Sequence, residues 1–161
     1  MAKVIETDIE SRAIGASYSL WQIASVGMAL GALYWCLTAL LERYIIDPIF
    51  CRSVSSALTC LNSTNISGDI ATILIAAIGI TVILRLYMAR PLIIAIAVGA
   101  SLWGLAMWTN GLVWGEAIAW SMLLYGLAYT LFSWIARYAR VIPVLVVMML
   151  IVVAVRFATT L

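Results

Sequence analysis

The chain has 161 residues, 66% of them apolar and 10% charged, with a net charge of +2 and a mean hydropathy of +1.14. A composition so poor in charge excludes a water-facing surface, and a balance so near neutral excludes an electrostatic footprint for nucleic acid. Histidine is absent, which removes the commonest metal ligand and the side chain most used for proton transfer near neutrality. No nucleotide-binding glycine pattern, metalloprotease motif or Cys-x-x-Cys pair takes its place. The chain therefore reads as an all-α, polytopic integral membrane protein of one domain, not an enzyme, without cofactor or metal.

Residues 1–16 mix Lys3 and Arg12 with Glu6, Asp8 and Glu10, while Val4, Ile5, Ile9 and Ala13 recur at helical spacing. This segment is expected to be an amphipathic stretch on the cytoplasmic membrane surface. From Ala13 to Leu41 there are 29 residues without a charge, and a bilayer core needs roughly 20 at helical rise. The first span is placed at Tyr18–Leu41. Gly27 and Gly31, four apart, form a small-xxx-small pair that admits a second helix at close range.

Residues 46–68 form the one sizeable internal stretch of water-loving composition, with Cys51, Cys60 and a run of Ser, Thr and Asn. It is expected to be an outer loop closed by a Cys51–Cys60 disulfide, with Cys36 left as a buried thiol in the first span. The second span is read as Asp69–Ala89, with Arg85 reaching back to the interface. Pro91 opens the third span, Pro91–Thr109, where its missing N–H costs nothing; Ala100 and Gly104 repeat the small-residue spacing. A turn at Asn110–Gly115 leads to the fourth span, Glu116–Ala136, and the fifth runs from Val141 to Thr159. A shift of 47 residues lays Gly79 on Gly126 and Ala89-Arg90 on Ala136-Arg137, which suggests that spans two and three are repeated as four and five.

Five spans put the termini on opposite faces. With the N-terminus inside, Lys3, Arg12, Arg85, Arg90, Arg137 and Arg140 are inner, six of the nine cationic residues. The positive-inside tendency thus sets the N-terminus in the cytoplasm, and the Cys loop and C-terminus outside a cell membrane. Asp69 and Glu116 each open a helix on the outer side, where a carboxylate complements the positive helix end; with Arg156 they form a candidate outer mouth. The expected function is a non-catalytic membrane subunit or assembly factor, packed in lipid against other integral membrane subunits or against itself. The alternative is a small oligomeric channel or transporter using that mouth and the neutral polar groups Gln22, Ser25, Thr38, Thr72, Thr81, Ser101 and Ser121.

Overall fold

The computed structural model describes residues 20–50, 62–85, 91–136 and 146–154, and among the described residues all regular structure is helical. In chain order these are α1 (Leu20–Leu41), a π-helical turn (Glu42–Ile46), α2 (Asp47–Phe50), α3 (Ser63–Arg85), α4 (Pro91–Ser101), α5 (Leu105–Thr109) and α6 (Trp114–Ala136), followed by α7 (146–154). Among the described residues three stretches are long and apolar enough to cross a membrane: Leu20–Ile49, Ser63–Arg85 and Trp114–Ala136. Residues 1–16, Cys51, Cys60 and Arg156 lie outside the described residues, so the amphipathic segment, the disulfide and one member of the outer mouth do too. Cys36 is a free thiol and is exposed on α1 rather than buried, because its position on the helix turns it away from the other spans.

The first helix does not stop at Leu41. Pro48 has no N–H for the carbonyl of Tyr44, and its ring would press against that carbonyl in a regular helix. Just before it the helix widens into a π turn, in which the Asp47 N–H bonds the Glu42 carbonyl, and the chain then continues helically to Phe50. At the other side of the polar stretch, α3 starts at Ser63, six residues before the expected Asp69. The hydroxyls that make this run look like a loop are absorbed locally. Thr64 Oγ1 donates to Glu42 Oε1 at 2.6 Å, Ser63 Oγ to the same oxygen at 3.4 Å and Ser67 Oγ to the Thr64 carbonyl at 2.9 Å.

The expected third span is not one helix. The last regular helical bond runs from the Leu102 N–H to the Val98 carbonyl; Leu105 then bonds back to Leu102 in a tighter turn, and Gly104 sits at φ 84°. That left-handed conformation is open to glycine and strained for most other residues, so Gly104 marks a break between α4 and α5, where the sequence suggests a position within one continuous helix. The turn after α5 is also built on glycine. Asn110 is extended at φ −66° and ψ 124°, Gly111 has φ 89° and the Leu112 N–H bonds the Thr109 carbonyl at 3.2 Å, which together make a type II turn. Helix α6 then begins at Trp114, two residues ahead of Glu116.

Packing forms a ring. Helix α1 lies against both α3 and α6, and α4 closes the far side by touching the same two helices. Helices α3 and α6 stand diagonally across the interior, which is filled by Leu30, Ile75, Val98, Tyr125, Tyr129 and Phe132, with Met148 of α7 joining the same core. The outer surface carries large apolar side chains such as Ile73, Leu123, Leu127 and Trp134, a surface suited to lipid. The 47-residue correspondence fails at one place: the break at Ser101–Gly104 falls on residues 148–151, which are continuous helix.

Candidate functional site

Helix α1 is the centre of the arrangement because it has two distinct faces. Ile23, Gly27, Leu30, Gly31, Tyr34 and Thr38 are buried, and their spacing puts them on one side of the helix. A Cβ on Gly27 would lie 2.9 Å from Gly126 Cα and 2.9 Å from the Tyr125 carbonyl oxygen. One on Gly31 would strike the Ser121 carbonyl oxygen and come within 2.8 Å of Met122 Cα. Gly126 answers from α6, where an added Cβ would be 2.9 Å from Met28 Cγ. Two helix backbones therefore meet along Gly27, Gly31 and Gly126, at a distance that only residues without side chains permit.

This close approach brings three tyrosines together. The ring centroids of Tyr34 and Tyr125 are 5.3 Å apart, and those of Tyr125 and Tyr129 are 6.5 Å apart. The hydroxyls reach across to α3, where glycines make room for them. The Tyr34 oxygen lies 3.1 Å from where a Gly68 Cβ would be, and the Tyr129 oxygen occupies the place of a Gly79 Cβ. Thr72 lies between, beside the hydroxyls of both Tyr34 and Tyr125. All three tyrosines are at most 2% exposed. The Tyr34 hydroxyl has Thr38, Thr72 and the Ala106 backbone as hydrogen-bonding neighbours and that of Tyr125 has Thr72, although none of these contacts is well aligned. Phe132, on the same face of α6 and equally buried, shows that an aromatic ring without a hydroxyl fits this interior.

At the end of the bundle where α1 gives way to its π turn, Glu42 is the organising carboxylate, through its bonds to Ser63 and Thr64 at the start of α3. Its charge sits where the exposed N–H groups and dipole of that helix favour an anion. In the sequence Glu42 is simply the first charge after the uncharged run. The spacing across a polar stretch gives no sign of this long-range link. Asp69 lies half-buried in the second turn of α3, on the Tyr34 side, and does not begin the helix. Glu116 is exposed in the first turn of α6. Ala100 is half-buried in the last turn of α4.

The second face of α1 points away from the bundle. Ser25, Ala29 and Cys36 are exposed, and Ala32 and Ala39 are half-exposed; their spacing of four, three, four and three residues draws a straight stripe along the helix. It lies opposite Gly27 and Gly31. Trp21, Leu33 and Leu40 are exposed along its edges, and the outward face of α6 is bulkier, with Leu123, Leu127, Leu131 and Trp134 exposed. This stripe was legible in the sequence as a heptad-like run of small residues, but hydropathy weighs Ala and Cys much like Leu and hides it.

Among the described residues no cluster of three Cys, Asp or Glu side chains is placed to hold a metal ion. Hydroxyls line the inside of α1, and a run of small side chains edged by Trp21, Leu33 and Leu40 marks its outside. No protein-family model, no curated protein and no solved structure matches the chain, so its functional reading rests on these two faces of α1.

Proposed function

We propose that the protein is a small, non-catalytic membrane subunit or assembly factor that offers the outward face of α1 to a helix of another integral membrane protein. The observation that carries this reading is the contrast between two outward faces. Lipid tails are as apolar as leucine, so a face that meets only lipid gains nothing from being narrow and smooth. The face of α6 is broad and leucine-rich, whereas that of α1 carries a narrow run of Ser25, Ala29, Ala32, Cys36 and Ala39, with Trp21, Leu33 and Leu40 exposed along its edges. Small residues at that spacing let a second backbone approach closely, as Gly27 and Gly31 do on the other side. The finer architecture belongs to the same proposal: five crossings, a Cys51–Cys60 disulfide in the outer loop and a cytoplasmic N-terminus in a cell membrane. It is supported by the uncharged runs and by the Arg distribution, and tags at the two termini, probed on sealed cells, should be reachable only at the C-terminus.

Co-purification from the native membrane tests the function. Wild-type protein should carry a partner in fixed stoichiometry, and Ala29→Leu with Ala32→Leu should lower the recovered partner at least tenfold while leaving the thermal midpoint of the purified chain unchanged. Equal recovery with both leucines in place would remove α1 as the docking face. Flux through vesicles containing this chain alone would favour the channel reading instead.

A further inference from the structure

The turn between α5 and α6 carries a surface that the docking of α1 leaves unused. Met107, Trp108, Leu112, Val113 and Trp114 are all exposed there, Trp108 at 61% and Trp114 at 70%, whereas Leu105 and Ala106 of the same short helix are buried. A turn standing in water has no reason to gather five large apolar side chains. We infer that this tip is a membrane anchor seated at the headgroup level, with both indoles among the lipid ester groups, and that Trp21 and Trp134 form the matching belt at the opposite end of the bundle. Indole suits that layer because its ring is apolar while its N–H donates to a carbonyl.

Length, register and charge each place the tip there. Trp114 opens α6 and Trp134 lies in its last turn. At helical rise these two residues stand about 30 Å apart along the axis, and a hydrocarbon core is about 30 Å thick. Gly27 meets Gly126, and Gly31 meets Ser121 and Met122, so α1 and α6 run antiparallel. Continued along both helices, that register sets the exposed Trp21 within about a turn of Trp134 and brings Ala39–Leu41 level with the tip. The charges agree with this boundary. Helix α1 has none, and Glu42 follows directly on it; Glu116 lies in the first turn of α6. An added Cβ on Gly68 would strike Ala106, which sets Asp69, the first charge of α3, at the level of α5. Three carboxylates on three helices thus gather where the tip lies, and the stretches between the two belts are apolar.

Beyond the tip the chain continues through the π turn to α2, so the exposed Ile49 should stand in water. A nitroxide-bearing amino acid is placed in turn at Met107, Val113, Ile49 and Leu127 of the full chain in phosphatidylcholine vesicles. Its access to dissolved oxygen and to a water-soluble nickel chelate is read by power saturation. An anchored tip predicts one depth for Met107 and Val113, that of a headgroup-labelled lipid, with Leu127 deeper and Ile49 open to the chelate. In a Trp108→Ser/Trp114→Ser background the chelate's access to Val113 rises severalfold, while Leu127 keeps its depth because the bundle still spans. Access at Val113 that does not change in that background removes the indoles as the anchor. Chelate access at Met107 and Val113 equal to that at Ile49 overturns the anchor, and shielding of both in native membrane alone would assign the tip to a protein partner. A depth equal to that of Leu127 overturns it too, since the tip would then lie within the hydrocarbon. The vesicles hold no other protein, so the result is independent of the partner proposed for α1.

Discussion

Replacing Gly31 by alanine is expected to destabilise the protein by about 1–3 kcal/mol, and replacing it by leucine to abolish recovery of folded chain. A Cβ there meets the Ser121 carbonyl oxygen and lies 2.7 Å from the Ser121 carbonyl carbon and 2.8 Å from Met122 Cα. All of these are backbone atoms of α6, which cannot turn aside as a flexible side chain would. The helices would have to separate along their whole contact, and with it the enclosure of Tyr34, Tyr125 and Tyr129 would open. The helix-forming advantage of alanine over glycine, roughly 0.5–1 kcal/mol, opposes this cost without matching it. Gly115 supplies the control, since it lies in the first turn of α6 and an added Cβ there has no neighbour within 4 Å. Gly115→Ala should be neutral or slightly stabilising. Unfolding by a denaturing detergent titrated into mild micelles would compare the variants on one scale, and equal midpoints for Gly31→Ala and Gly115→Ala would contradict the close α1–α6 contact.

The next largest effect is expected at Gly79, and it depends on a second residue. Gly79→Ala should cost about 1–3 kcal/mol, because its Cβ would take the place of the Tyr129 hydroxyl oxygen. In a Tyr129→Phe background the nearest obstacle is the ring carbon that carried the hydroxyl, 3.3 Å away, followed by Leu30 Cδ1 at 3.8 Å. The same substitution should then cost much less, since the ring has only to give by a few tenths of an ångström. A double-mutant cycle reads the difference as a coupling of about 0.5–3 kcal/mol. Additive effects would show that the hydroxyl of Tyr129 does not rest on Gly79, and would take away the diagonal contact between α3 and α6.

How far the sequence discloses this arrangement can be judged from single residues. The long uncharged run through Leu41 marks a membrane-crossing helix by length alone, and the absence of histidine narrows the chemistry without any structure. Gly27 and Gly31 advertise a close contact, but nothing in their spacing tells that α6 fills it, or that the contact encloses three tyrosines. Tyr125 and Tyr129 are four apart and so share a face; Tyr34 stands 91 residues before Tyr125, and only the fold joins them. The break at Gly104 was hidden for a related reason. No proline or charge interrupts Leu92–Met107, so the run looks like one span, and it is the backbone conformation of one glycine that divides it. The start of α3 was obscured in the opposite way. Ser63, Thr64 and Ser67 resemble loop residues by propensity, but bonds to Glu42 and to the helix's own carbonyl hold them in the first turns. Proline at position 48 likewise suggests a stop, and the π turn before it shows how the chain continues.

On the proposed reading α1 is a two-sided helix, with glycines inward and small residues outward to receive another membrane helix. A photo-crosslinking amino acid placed in turn at Ala29, Cys36 and Leu127, and activated in the native membrane, tests it most directly. Ala29 and Cys36 lie on the outward stripe of α1, and Leu127 lies on the leucine-rich face of α6. The account predicts one discrete protein adduct from positions 29 and 36, of the same mass in both, and only lipid adducts from position 127. Lipid adducts alone at positions 29 and 36, or the same protein adduct at all three positions, would contradict it.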